Sequence, residues 1–293
     1  MEPDLYPTPK RRREDQPRRR LSKGLYILPS LFTTANIAAG YYAILQVTHG
    51  TPAEPWHFDN AAKAIGFAFL FDGLDGRIAR MTKTSSDFGR ELDSLADVIT
   101  FGVAPAMLAF MWGFREMSPA IPPEMFGRLV QLGAIASFLF LMAGASRLAR
   151  FNITSNPQPS NPGRPGKKYF VGMPIPAGAG VIAAVVHFSS GSPVTATWTA
   201  ITWLLLIVAA AYLMVSTWRF NSFKDIDLRS RQPFRLMVLF GLLFAAIWYF
   251  SQWVLFVLAL LYMFSGVFWR LQWIFRRKSG PPPPSYKEAS ETS

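Results

Sequence analysis

Two stretches, ITWLLLIVAAAYLMV at 201–215 and WVLFVLALLYMF at 253–264, carry no polar face at all. A helix apolar all round must be covered by protein interior or by lipid. Comparable apolar blocks recur near 25–47, 60–79, 93–113, 128–149, 171–189, 194–217, 234–250 and 252–272. Each approaches the ~20 residues that a bilayer-crossing helix needs. The expected fold is therefore all-α: a polytopic transmembrane helical bundle of about eight spans. Composition agrees, with 16% charged residues against roughly 25% in an average soluble domain. The first block is too long for the core of a signal peptide, so it is expected to be a retained span. Residues 1–24 are basic and punctuated by proline, and 273–293 are rich in Pro and Ser. Neither tail can bury a core, and both are expected to be disordered, flanking a transmembrane domain over 25–272.

The chain carries a formal net charge of +12. Eight apolar blocks exclude a soluble nucleic-acid binder, so the excess of Lys and Arg is read as topology instead. Lys10, Arg11, Arg12, Arg13, Arg18, Arg19, Arg20 and Lys23 precede the first block. The connection near 48–59 has no Lys or Arg, whereas 80–92 has Arg80, Lys83 and Arg90. Basic connections continue to alternate with those that have few or none. Arg150, Arg164, Lys167 and Lys168 mark one basic side, followed by Arg219, Lys224, Arg229 and Arg231, then by Arg270, Arg276, Arg277 and Lys278. The positive-inside rule then expects a multi-pass protein of the cell (inner) membrane, with both termini in the cytoplasm.

Cysteine is absent and there are three histidines, which excludes thiol chemistry and leaves no convincing His-based metal site. The unusual polar groups are carboxylates. Asp72 and Asp75 lie in the cytoplasmic end of the second block, and Asp93 and Asp97 at the cytoplasmic start of the third. A carboxylate at membrane depth costs on the order of 2.5–3.5 kcal/mol on insertion scales. The i,i+3 and i,i+4 spacings place each pair on one helix face. An antiparallel return between consecutive spans would bring all four together. Repulsion among them calls for cations, and an all-oxygen site selects Mg²⁺ or Mn²⁺, with Ca²⁺ also compatible. Four carboxylates suit two divalent ions, an arrangement that serves phosphoryl chemistry. Gly73, Gly76, Ala79 and Gly89 leave room for a phosphate or nucleotide, and Arg77, Arg80 and Arg90 offer donors to phosphate oxygens.

The motif runs Asp72, Asp75-Gly76, Ala79-Arg80, Gly89, Asp93, Asp97, with gaps of two, two, eight, three and three residues. It resembles the signature of the CDP-alcohol phosphotransferase family, membrane enzymes that move a phosphatidyl or related group from a CDP-linked lipid to an alcohol and release CMP. The resemblance implies a six-helix core, a two-metal Mg²⁺ or Mn²⁺ site and a homodimer. It implies Asp72, Asp75 and Asp93 as metal ligands, with Asp97 completing the site and serving as the catalytic base. Gly76, Ala79, Arg80 and Gly89 would line the CDP site.

Further segments are similar to the membrane-spanning bacterial phosphatidylserine synthases within that family. These are LPSLFTTANIAAGYYAI (28–44), TFGVAPA (100–106), ASRLARFN (145–152), YFVGMPIPAGAG (169–180) and LMVSTWRFNSFKD (213–225). Ser30 stands where that pattern usually has Asn, and Met173 where Leu is common. Thr33 and Asn36 fit the pattern and would reach the nucleotide. Arg147 and Arg150, at the cytoplasmic end of the fourth block, would hold the carboxylate of serine or a substrate phosphate. The implied activity uses CDP-diacylglycerol, L-serine and a membrane lipid environment, with the active site facing the cytoplasm. Rival readings are another alcohol acceptor (glycerol phosphate, inositol phosphate or choline) and, more distantly, a cation transporter. A transporter would need polar residues continuing across the spans, but the second half of the third block, VITFGVAPAMLAFMWGF, is uncharged.

Overall fold

The structure, a computed structural model, describes the backbone of residues 24–82, 87–117, 121–153, 169–221 and 233–276, and side chains of 31–73, 88–117, 121–153, 169–221, 238 and 241–275. Helices occupy the apolar blocks. They are α1 (Gly24–His49), α2 (Trp56–Thr82), α3 (Asp87–Asp97), α4 (Ala104–Phe110), α5 (Pro123–Ile153), α6 (Ile175–Phe188), α7 (Thr197–Val215) and α8 (Pro233–Arg276). A two-stranded antiparallel ribbon, β1 (Tyr169–Val171) with β2 (Arg219–Asn221), pairs Phe170 with Phe220. Phe88–Arg115, Pro123–Ile153, Thr197–Val215 and Gly241–Phe275 are long and apolar enough to cross a membrane, and Ile175–Phe188 is a shorter apolar helix.

Several boundaries differ from the sequence expectation. The third block is not a plain α-helix. The chain passes from α3 through a π-helical stretch at Val98–Val103 into α4, then through a second at Met111–Arg115. The connection expected at 80–92 is much shorter, because α2 runs to Thr82 and α3 begins at Asp87. The fifth block, expected from 171, becomes helical only at Ile175, because the chain first pairs in the ribbon. Gly172 makes that change of direction at φ +74, with Met214 O and Ser216 O 2.6 and 2.8 Å from where a Cβ would stand. No L side chain fits there without strain. The last two blocks form one assigned helix of 44 residues, broken by the non-helical Phe250 (φ −131, ψ 38). The break falls where the sequence places a turn.

Packing centres on small residues and large rings. α1 lies along α2, α5 along α7, and α6 against both α2 and α8. Phe58, Phe101, Phe114, Phe140 and Phe220 are fully buried. Trp112 and Trp203 meet edge to face at 4.9 Å, and their indole N–H groups donate to Ser192 O and Ala109 O at 2.8 and 3.0 Å. Such pairing satisfies each polar indole atom while its ring fills the core.

One buried polar network ties three helices. His187 Nδ1 on α6 lies 2.5 Å from Asp59 Oδ1 on α2, and His187 Nε2 lies 2.9 Å from Ser251 Oγ on α8. Lys63 Nζ pairs with the other oxygen of Asp59 at 2.6 Å. Asp59 is thereby satisfied on both oxygens, as a buried carboxylate must be. Asp72 lies thirteen positions after Asp59, about 20 Å along a helix at ~1.5 Å per residue. The network therefore anchors the end of α2 remote from its acidic end.

Candidate active site

Asp72 on α2 meets Asp93 and Asp97 on α3. One carboxylate oxygen of each lies within 4.8 Å of the others, and all three side chains are half-buried. The i,i+4 spacing of Asp93 and Asp97 puts both on one side of α3, and α2 brings Asp72 against them. Two unit charges at that separation repel by roughly 3–4 kcal/mol at an effective dielectric of about 20. A counter-charge offsets such repulsion.

α1 closes one side. Asn36 and Thr33, one turn apart, are 1% and 5% exposed. The depth of α1 is set by its contact with the first π-helical stretch. Thr100 Oγ1 donates to Asn36 O at 3.0 Å. A Cβ on Gly40 would stand 2.9 Å from the backbone Cα of Thr100, so the close approach depends on glycine. The Asn36 amide stands within reach of the Asp97 carboxylate. Yet neither amide atom of Asn36, nor Oδ1 of Asp97, makes a hydrogen bond of ordinary geometry among the described residues. Buried polar atoms left in that state call for an ion or water. Converging carboxylates with orphaned oxygen donors and no nitrogen or sulfur ligand fit a hard divalent cation.

α5 brings the cationic side. Arg147 is within electrostatic range of Asp97, Arg150 and Tyr262, and its Nε is buried without a hydrogen bond among the described residues. Arg150 is engaged elsewhere: Nη1 donates to Val215 O at 3.2 Å, at the end of α7. The two arginines read together from the sequence thus differ, Arg147 lying within electrostatic range of Asp97 and Arg150 bonded to a helix end.

Of the other residues expected here, Gly89 lies in the first turn of α3, the helix that carries Asp93 and Asp97. Asp75, Gly76, Ala79 and Arg80 lie on α2, but their side chains fall outside the described residues. Two residues near this end were not singled out from sequence. Tyr262 on α8 lies within electrostatic range of Arg147. Arg219 on β2 is 7% exposed, with its guanidinium 5.1 Å from the Tyr169 ring centre and 5.9 Å from that of Trp269. Burial lowers the Arg219 pKa from the ordinary arginine value, and Tyr169 opposes the shift. In the sequence Arg219 is one of the basic residues that mark topology. The fragment around it, STWRFN, was the available signal, since an Arg between aromatics can be buried by stacking.

The CDP-alcohol phosphatidyltransferase family profile matches residues 26–202. Three relatives, each named CDP-diacylglycerol–serine O-phosphatidyltransferase, span bacteria, archaea and yeast. The Helicobacter pylori protein is 37% identical over 227 residues, covering 75% of this chain and 82% of its own length. The Methanocaldococcus jannaschii protein is 38% identical over 147 residues, covering 50% and 54%. The Saccharomyces cerevisiae protein is 36% identical over 156 residues, covering 53% and 51%. The chain belongs to the CDP-alcohol phosphatidyltransferase family, a family of phosphotransferases, and is a membrane protein.

Proposed function

We propose that this member of the CDP-alcohol phosphatidyltransferase family transfers the phosphatidyl group of CDP-diacylglycerol to L-serine, giving phosphatidylserine and CMP. The observation that carries the reading is the convergence of Asp72, Asp93 and Asp97 within 4.8 Å, inside the segment that matches the family. The choice of serine is supported by relatives of that name in three lineages.

In this reading Asp72, Asp75, Asp93 and Asp97 hold two divalent cations, Mg²⁺ or Mn²⁺. Bound there, the cations supply positive charge to the diphosphate and to the departing CMP. Thr33, Asn36, Gly76, Ala79, Arg80 and Gly89 receive the cytidine diphosphate. Asp97 takes the proton from the serine hydroxyl, and that oxygen attacks the phosphorus that carries diacylglycerol. The bond from that phosphorus to the CMP oxygen breaks, and CMP leaves. Arg147 orients the acceptor through its carboxylate or holds a substrate phosphate, and Arg150 supports that end of α5 through α7. The acyl chains remain in the bilayer throughout.

The same reading places residues 25–272 as the catalytic domain of eight spans in the cell membrane, with the tails 1–24 and 273–293, both termini and the active site in the cytoplasm. It pairs two copies as a homodimer. Its test is product analysis: purified protein, CDP-diacylglycerol and divalent cation, offered serine, glycerol phosphate, inositol phosphate or choline separately. Phosphatidylserine is the expected lipid. A product from another alcohol in preference to serine would keep the family and overturn the acceptor.

A further inference from the structure

We propose that Asn152 is a positioning residue for the carboxylate cluster, holding α3 through Ser94 so that Asp93 and Asp97 stay against Asp72. The proposal rests on the transferase reading above only through its cation site. It gives a role to the last residue of the ASRLARFN segment, beyond the two arginines.

The link is a hydrogen bond between two helices. Asn152 Nδ2, in the last turn of α5, donates to Ser94 Oγ on α3 at 3.0 Å. Ser94 Oγ donates in turn to Arg90 O, one turn earlier on α3, also at 3.0 Å. The hydroxyl proton is thereby spent, so Ser94 meets Asn152 as an acceptor, and the amide must present its nitrogen. Ser94 follows Asp93 directly and stands three residues before Asp97. A shift of Ser94 therefore moves both carboxylates, because all three ride on one short helix, Asp87–Asp97.

α3 needs such a hold. It packs against α1, but Phe88 and Leu95 are 76% and 62% exposed, so packing covers only part of its surface. Its carboxylates repel Asp72, and that repulsion favours α3 moving away from α2. α5 is a firm support, because its last turn is also tied to α7: Arg150 Nη1 donates to Val215 O at 3.2 Å. The Asn152 amide is uncharged, so it restrains α3 without competing with a cation for the carboxylates. Asn152 acts through Ser94 and is no cation ligand itself.

The test is cation binding by the purified full-length protein without substrates, read as the Mn²⁺ dissociation constant from the electron paramagnetic resonance signal of the free ion. Asn152 is exposed and Ser94 half-buried, so truncation at either leaves the fold intact. One neutral hydrogen bond corresponds to roughly a 2- to 10-fold effect. Asn152→Ala and Ser94→Ala should each weaken Mn²⁺ binding by about that factor, and the double variant by no more than either. Ser94→Thr keeps the hydroxyl and should stay within twofold of wild type. The serine KM at saturating cation should stay within twofold in every variant. Unchanged Mn²⁺ affinity in the single variants, additive losses in the double, or a change confined to the serine KM would overturn the proposal. Wild-type protein that binds Mn²⁺ but prefers another alcohol overturns the acceptor alone, and the binding comparison still decides the role of Asn152.

Discussion

Asp97 and Arg147 lie within electrostatic range of each other, and substitutions at each should fail differently. Asp97→Asn keeps the side-chain shape and removes the proton acceptor. General-base contributions are roughly 10²–10⁴-fold, so turnover should fall in that range. CDP-diacylglycerol should still bind in the presence of cation, read by ligand-binding calorimetry on the same sample. A loss of lipid-nucleotide binding equal to the loss of rate would make Asp97 a ligand alone. Arg147→Ala removes a charge-assisted hydrogen bond of about 1.5–3 kcal/mol, which converts to a roughly 10- to 150-fold higher serine requirement. If the lipid requirement rises instead, Arg147 belongs to the phosphates. The carboxylate residues were legible in the sequence because charge at membrane depth is costly and therefore rarely idle. The burial of Arg219 between Tyr169 and Trp269 was not, since an Arg near a span end is ordinary as a topology charge until its neighbours are known.

The site is built by one helix pressed onto an irregular stretch of another. The π-helical Val98–Val103 follows Asp97 directly, and such stretches often occur at functional sites. Here Gly40 lets α1 sit on Thr100, which brings Asn36 to the Asp97 carboxylate. Gly40→Ala places a methyl against backbone, where relief requires the two helices to part. Overpacking of this kind typically costs about 1–3 kcal/mol. We expect a lower thermal midpoint in detergent and reduced kcat/KM for CDP-diacylglycerol. Gly66→Ala is the control, since nothing lies within 4 Å of its Cβ position. It should be neutral or slightly stabilising. Should both variants behave alike, the close approach of α1 does not matter. Helix positions were readable from sequence because apolar runs of spanning length have few alternatives. The π-helical stretches and the ribbon were not. Residues 169–171 and 219–221 pair across 50 positions of chain, and no local pattern encodes that partner. The Phe250 break was readable, because a 44-residue helix would far exceed the ~20 residues a bilayer accommodates.

At the scale of the whole molecule, the two ends of the bundle differ in chemistry. One end gathers Asp72, Asp93, Asp97, Arg147 and Arg219. The other holds the Asp59–His187–Ser251 network and the glycine-containing turn after α6. The proposed orientation puts the first end in the cytoplasm, where serine is available. The chain has no cysteine, so single-cysteine labelling in sealed membranes is unambiguous. Ser85→Cys should react only from the cytoplasmic side and Ser192→Cys only from the opposite side. The reverse pattern would detach the site from its water-soluble substrate. The central claim is that the carboxylate cluster works as a cation-dependent transferase site. The most direct measurement is CMP release by purified protein from CDP-diacylglycerol, with and without serine, in chelator and after adding Mg²⁺ or Mn²⁺. The account predicts release that requires serine, vanishes in chelator and returns with either cation, and that is weakened in parallel with cation binding by Asp72→Asn and Asp93→Asn. Full release in excess chelator would contradict it.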